Sequence, residues 1–281
     1  MLFTVTHETL YTYSQPVVLG PHIIRLCPRH DGAQRTLNYE LRIEPKPLLR
    51  SECLDAEGNS VTHAWFDGST TTFQVISSFS VETCRDNPFD YFLERGCEHL
   101  SSVYRDDVKP RLSYYRSAQI LDDRIRTFSN DLAAEAEGQP LAFLAALNHW
   151  LHENIVHEIR DEGAPQNSTE TLTRRKGACR DLSVLFMAAC QTQGLAVRFV
   201  SGYRKGDGRR PKRYLHAWPE VFISGGGWRG YDPTQGAAVA DEHVALAAAL
   251  HPVGTMPIEG SFGGAGATST MDFDLRIETS G

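Results

Sequence analysis

The stretch GACRDLSVLFMAACQTQGLAVRFVSGY, residues 177–203, decides the fold. Leu182, Leu185, Phe186 and Ala189 recur at helical spacing and predict an amphipathic helix from about Cys179 to Gln193. Gly194 is placed to take the left-handed conformation that ends such a helix. The stretch 197–203 then reads as a strand bounded by glycines. Cys179 therefore falls in the first helical turn, where unpaired backbone N–H groups and the positive helix end stabilise a thiolate. The same N–H groups can receive the oxyanion of a tetrahedral intermediate. Gly177 leaves a substrate carbonyl room to approach the sulfur. Taken alone, a packed structural thiol accounts for Cys179 equally well.

Residues downstream shift that balance. Leu215-His216-Ala217-Trp218 opens a predicted strand and supplies an imidazole able to act first as general base and later as general acid. Sixteen residues on, Tyr231-Asp232-Pro233-Thr234 ends the next strand with a carboxylate able to orient that imidazole and favour its charged form. The Gly225-Gly226-Gly227 turn joins the two strands as antiparallel neighbours, which sets His216 and Asp232 side by side. Cys179, His216 and Asp232 thus form a candidate nucleophilic triad. Trp218 reads as a wall of the cleft or as core filler, and Trp218 and Gly177 are the expected substrate-binding residues. The plain alternatives are a strand histidine at 216 and a turn initiator at Asp232.

Further out, Leu141, Leu144, Leu147, Leu151 and Ile155 predict a helix that opens on Pro140 at its first position. The first ninety or so residues read as strands. Phe3–Tyr13 is rich in β-branched and aromatic residues, and Asn38–Pro45 alternates cleanly. Turns at Asp55–Ser60 and Asp67-Gly68 separate strands at Val61–Phe66, Thr70–Ile76 and Phe79–Thr83. Short strands at this spacing predict an antiparallel sandwich-like unit. Pro88 and Pro110 punctuate a connecting stretch. The alternating segment Met271–Glu278 predicts a last strand, and Gly260–Gly266 a flexible loop. Two domains follow, a β-rich 1–110 and an α+β 111–281.

Composition narrows the function. The chain has 281 residues, 41% hydrophobic and 22% charged, with a formal charge of −7. That is ample for a buried core. A mildly acidic surface argues against nucleic acid or an anionic membrane as partner, since both need a basic face. No apolar run approaches the ~20 residues of a membrane span. The opening residues lack a basic region followed by a sustained apolar one, so the expectation is a cytoplasmic protein. None of the six cysteines forms a C-x-x-C pair, which removes the usual support for structural zinc or thioredoxin chemistry. Reduced thiols are expected. Cys190 falls on the apolar side of its helix.

Residues 177–203, HAWPEVFI and GWRGYDPTQG together resemble the core of the transglutaminase-like superfamily, over about 165–236. The strand-rich opening with Asn87-Pro88-Phe89-Asp90 resembles the N-terminal β domain of its bacterial members. The resemblance implies a papain-like α+β fold for the second domain, with Cys179 as nucleophile, His216 as base and Asp232 as orienting acid. It implies thiol-dependent acyl transfer or hydrolysis at peptide or amide bonds, without a cofactor. A cysteine protease or amidase is the preferred form. A protein-crosslinking transglutaminase and a non-enzymatic peptide-binding scaffold are the alternatives. Thr173 stands where papain-like proteases place an oxyanion glutamine, so Gln166, Asn167 and Trp218 are the remaining candidates for the second donor. Arg180-Asp181 reads as a tuning pair, or as a local ion pair or first-turn helix charge.

Two pattern matches lead elsewhere. Gly225 to Gly230 spells G-x-G-x-x-G, but strands on both sides leave no helix N-terminus for a phosphate. His152 and His157 are five residues apart, ~500° of helical rotation, which leaves the imidazoles ~140° apart instead of on one face as a zinc protease requires. No acidic cluster has calcium-loop spacing. The expected partner is a peptide or protein substrate.

Overall fold

The computed structural model describes residues 1–117, 122–160, 163–206 and 213–281. Leu2–Leu19 forms an 18-residue strand whose Phe3, Val5, His7 and Thr9 point inward. It pairs antiparallel with Thr70–Thr83, Phe3 facing Val81 and Val5 facing Phe79. The register shifts between Thr12 and Val17. Pro16, which has no N–H to give a ladder, lies inside that irregularity, where proline is tolerated. Thr70–Thr83 is one 14-residue strand, not the two that its central serines predict. Ser77 is fully buried, but its hydroxyl donates to the Leu26 carbonyl at 2.9 Å, so the polar interruption is satisfied and the strand continues. Gln34–Glu44 completes that side of the sheet.

A second antiparallel sheet runs in the order Ile258–Glu259, His22–Ile24, Ser60–Trp65, Leu49–Leu54. Ile24 and Ala64 from it share one core with Phe3, Val5, Phe73 and Phe79. The expected sandwich is therefore two stacked sheets.

The other half is built on a five-stranded antiparallel sheet. Its order is Ala237–Ala238, Gly227–Asp232, His216–Ile223, Val197–Arg204, His243–Ala249. Of the helices Asp123–Glu135, Pro140–Asn154 and Cys179–Thr192, the last packs on it and the first two pack on that helix. Proline opens the second of these, and Phe143, Leu144, Leu147 and Leu151 form its buried stripe. Cys179–Thr192 buries Leu182, Leu185, Phe186, Ala189 and Cys190 completely. Gly194 follows at φ +71°, a conformation that excludes most side chains. Among the described residues no helix is long and apolar enough to cross a membrane. The connecting stretch is pinned to this sheet by Tyr104, whose buried hydroxyl donates to the Phe222 carbonyl at 2.7 Å and accepts from the Ala196 N–H at 2.9 Å.

Two features tie the halves together. Ser269–Ser280 returns to the first sheet and pairs along Leu2–Tyr13, so the last strand of the expected second domain completes the first. Alternation identifies such a strand but not its partner. In addition, His243–Ala249 is an edge strand whose free backbone groups are met by side-chain amides from the sandwich. Asn59 donates to the Ala248 carbonyl at 2.9 Å and accepts from its N–H at 2.8 Å. Gln34 does the same for Ala245, at 2.9 and 2.7 Å. Each amide imitates a strand neighbour and closes an edge that would otherwise be open.

Substituting Asn59→Leu keeps bulk and leaves the Ala248 N–H and C=O buried and unpaired. Urea unfolding is expected to show a loss of about 2–5 kcal/mol. A loss below about 0.5 kcal/mol would show that the amide clamp contributes nothing.

Candidate active site

Cys179 occupies the first position of its helix and is half-buried. The turn beneath it is built by Asp181, which is wholly buried. One carboxylate oxygen accepts the Ala178 N–H at 2.8 Å. The other accepts the Gln166 N–H at 2.7 Å and the Arg160 guanidinium at 2.8 Å. Asp181 thus pairs with Arg160 and not with its neighbour Arg180, and its work is to cap the helix and bind the 160–166 segment to it. Gly177 is buried against this carboxylate. A Cβ at 177 would stand 2.9 Å from Asp181 Cβ and 3.3 Å from Leu182 Cδ1, so the glycine is required by packing under the turn.

His216 is the first residue of its strand, and its Nε2 lies 2.8 Å from Asp232 Oδ2. A carboxylate only accepts, so Nε2 carries the hydrogen and Nδ1 is left for the thiol. Asp232 is fully buried at the end of Gly227–Asp232. Its Oδ1 accepts from the Thr234 N–H at 2.9 Å and the Thr234 hydroxyl at 2.7 Å. The turn role and the orienting role expected of Asp232 are therefore filled by different oxygens. The structure brings Cys179, His216 and Asp232 together, the imidazole bonded to the carboxylate and acting on the thiol.

Two further histidines join them. His157 lies close enough to the Cys179 sulfur to favour its thiolate, as His216 does. It lies on the two-residue strand Val156–His157, which pairs in parallel with Lys176-Gly177, His157 opposite Gly177. His243 places Nε2 3.0 Å from Asp232 Oδ2. Neither is signalled by local spacing, since each arrives through pairing between distant segments. His152, by contrast, ends at the Thr234 carbonyl, 3.2 Å away, so the two histidines of the zinc-protease-like pattern serve different partners.

Charge follows from these contacts. Burial alone pushes the Cys179 thiol up, but hydrogen bonds from His157 and His216, with their positive charge, bring it down to about 6. Burial pushes His216 down, and the charge and hydrogen bond of Asp232, helped by the sulfur, overcome it and raise the imidazole to about 10. Burial opposes ionisation of Asp232, yet His216 and His243 hold it well below the usual carboxylate range. Burial lowers His243 more strongly than Asp232 raises it. Between about pH 6 and pH 10 the site therefore holds a thiolate beside an imidazolium.

The remaining expected residues take other places. Trp218 is 1% exposed and packs beneath the histidines, its ring centroid 6.1 Å from His216 and 5.2 Å from His243. It is core at this position and offers no surface to a substrate. Among the described residues its indole N–H has no hydrogen-bond partner. Asn167 caps the helix Ser168–Arg174 through Thr169 N–H, and the Gln166 side chain accepts from the Thr171 hydroxyl. Thr173 is exposed and donates to the Thr169 carbonyl. His216, Asp232 and His243 bring ligand-type atoms within 4.8 Å of one another. Both Nε2–H groups point at Oδ2, so hydrogen bonding accounts for that convergence. The glycines at 225 and 227, at φ +90° and +69°, turn a β-hairpin and no phosphate loop.

Residues 3–82 match the bacterial transglutaminase-like N-terminal region, and residues 126–233 match the transglutaminase-like superfamily. The chain is 25% identical to the uncharacterized protein ML0607 of Mycobacterium leprae over 98% of this chain and 96% of that one. It is 23% identical to the uncharacterized protein Rv2569c of Mycobacterium tuberculosis over 98% and 92%. Its fold is similar to that of a Cytophaga hutchinsonii chain provisionally described as a cysteine protease. That likeness has a TM-score of 0.72 at 20% identity, covering 100% of this chain and 92% of that one. The chain thus carries a bacterial transglutaminase-like N-terminal region followed by a transglutaminase-like core.

Proposed function

We propose that this protein is a thiol-dependent hydrolase of peptide or amide bonds. The observation that carries the reading is the Cys179 sulfur at a helix start, beside an imidazole that is itself backed by a buried carboxylate. The match of residues 126–233 to a thiol-based enzyme superfamily supports it.

The Cys179 thiolate attacks the amide carbonyl carbon, and the C=O electron pair moves onto oxygen. The Cys179 N–H, at the first helical position, faces that oxyanion. On collapse the C–N bond breaks, and the His216 imidazolium gives its proton to the departing amine. A thioester remains on Cys179. Water then attacks with His216 as base, the C–S bond breaks, and carboxylic acid and thiolate–imidazolium are restored. A primary amine in place of water yields a new amide, which is the crosslinking alternative. Hydrolysis is preferred because water requires no acceptor site. A binding scaffold without catalysis is disfavoured by the filling of all three positions.

A library of peptides and amides, with and without a primary amine, tests the reaction. Wild type is expected to release free acid and Cys179→Ala none. New amide exceeding acid whenever amine is present would transfer the assignment to transglutaminase.

The charge state is testable without a substrate. Alkylation of Cys179 by iodoacetamide should rise through about pH 6 and then level off, since the thiolate forms there. Exposed Cys53 and Cys84 provide the internal control. At pH 7 Cys179 should react on the order of tenfold faster than they do, because the thiolate and not the thiol is the nucleophile. Equal rates at all three thiols would remove the basis of the reading.

His157→Ala takes one hydrogen bond from the sulfur and should move the alkylation midpoint upward. The rate at pH 6 should fall by about threefold to tenfold. His216→Ala removes both the hydrogen bond and the proton donor, so turnover should fall by about 10² or more. A His157→Ala midpoint unchanged from wild type would show that this imidazole does not stabilise the thiolate.

A further inference from the structure

Asp232 serves two imidazoles through one oxygen. His216 Nε2 and His243 Nε2 lie 2.8 and 3.0 Å from Oδ2, while Thr234 fills Oδ1. His243 opens the outer strand His243–Ala249, separated from the His216 strand by Val197–Arg204. Gly202 lies between them, paired with His216 on one side and Ala245 on the other. A Cβ at 202 would come 2.7 Å from the Trp218 ring and 2.1 Å from the Val244 carbonyl oxygen. The bare backbone there lets Trp218 settle against both imidazoles, whose centroids are 6.0 Å apart.

The protonation of His243 follows from its two nitrogens. Nε2 faces an oxygen that only accepts, so it carries a hydrogen. Nδ1 is buried and has no hydrogen-bond partner among the described residues. A lone pair tolerates that position better than an N–H, which would be left buried and unsatisfied. The groups around the ring agree. Asp232 favours a cation, but burial opposes it, as do the charges of His216 and of Arg204, the residue opposite His243 in register. Arg204 is itself paired with Glu242.

We propose that His243 is a positioning residue for the Cys179 chemistry, a neutral imidazole that donates Nε2–H to Asp232 and locks its carboxylate onto His216. The inference rests on the thiol-enzyme reading. With two donors on each oxygen, the carboxylate cannot swing, and His216 Nδ1 stays aimed at the sulfur. A neutral donor does this without competing for the negative charge that sustains the His216 imidazolium. A lysine or arginine at 243 would consume that charge. The strand bearing His243 is held by Gln34 and Asn59, so the sandwich fixes this donor from behind.

The experiment is the pH dependence of Cys179 alkylation in full-length His243→Leu and His243→Gln, with histidine 15N NMR of the wild type. His243→Leu keeps bulk and loses the donor. Its midpoint should rise, and its rate at pH 7 should fall about tenfold, as for loss of a hydrogen bond to a charged group. His243→Gln offers an amide N–H at similar reach and should recover the rate to within about threefold. In the wild type at pH 7, His243 should be neutral with hydrogen on Nε2, and His216 doubly protonated. A folded His243→Leu with wild-type midpoint and rate overturns the proposal, as does a charged or Nδ1–H His243. Should neither variant fold, the wild-type spectrum decides. Failure of the thiol-enzyme reading looks different, because wild-type Cys179 would then show no preferential alkylation.

Discussion

A carboxylate sealed from water is the constraint on which the rest depends. Isolated burial of such an ion is costly by many kcal/mol, and it persists only where donors surround it. Asp232 receives four, from Thr234 twice, His216 and His243. They come from its own turn, the neighbouring strand and a strand further along the sheet. Forming the anion therefore requires that much of the second sheet be assembled in register. The same requirement reaches the sandwich, because the His243 strand is an edge whose backbone is completed by Gln34 and Asn59. The N-terminal region supports the site by fixing a strand.

Asp181 shows the same physics put to another use. It too is wholly buried, beneath the nucleophile. Its partners are a guanidinium and two backbone amides, groups that keep their protons at any pH the fold survives. Asp232 faces imidazoles, which exchange theirs. One carboxylate therefore shapes the turn that presents Cys179, and the other sets the charge of the group that meets it. The partners, more than the burial, separate architecture from chemistry.

What the sequence made legible was whatever local spacing encodes. The helix stripes, Gly194, the glycine hairpin and the order of Cys179, His216 and Asp232 all fall within short windows. His157 and His243 do not. A two-residue parallel pairing places His157 beside Gly177, and His243 reaches Asp232 from beyond an intervening strand. Nothing near either residue announces those neighbours. Ser269–Ser280 was legible as a strand but not as a partner of Leu2–Tyr13. Trp218 carries an ambiguity of another kind: alternation places it on the face shared with His216, and only the bare glycines at 202 and 230 show that the ring is packed down into the sheet. Ser77 misled for the opposite reason, since its hydroxyl is satisfied by a carbonyl far away in sequence.

The resting ion pair changes the role of each histidine. With the thiol at about 6 and His216 at about 10, the proton has already left sulfur before substrate arrives. In the proposed reaction His216 therefore acts first as an acid, and as a base only when water attacks the thioester. The hydrogen bond from His157 stabilises the same thiolate, and a thiolate so stabilised is intrinsically less nucleophilic. That bond must weaken as the sulfur's charge passes into the new C–S bond. His157 is exposed at the sulfur's outer side, whereas His216 is held from behind by Asp232. The imidazole free to yield is thus the exposed one, and the imidazole that must stay aligned is the one the buried carboxylate holds.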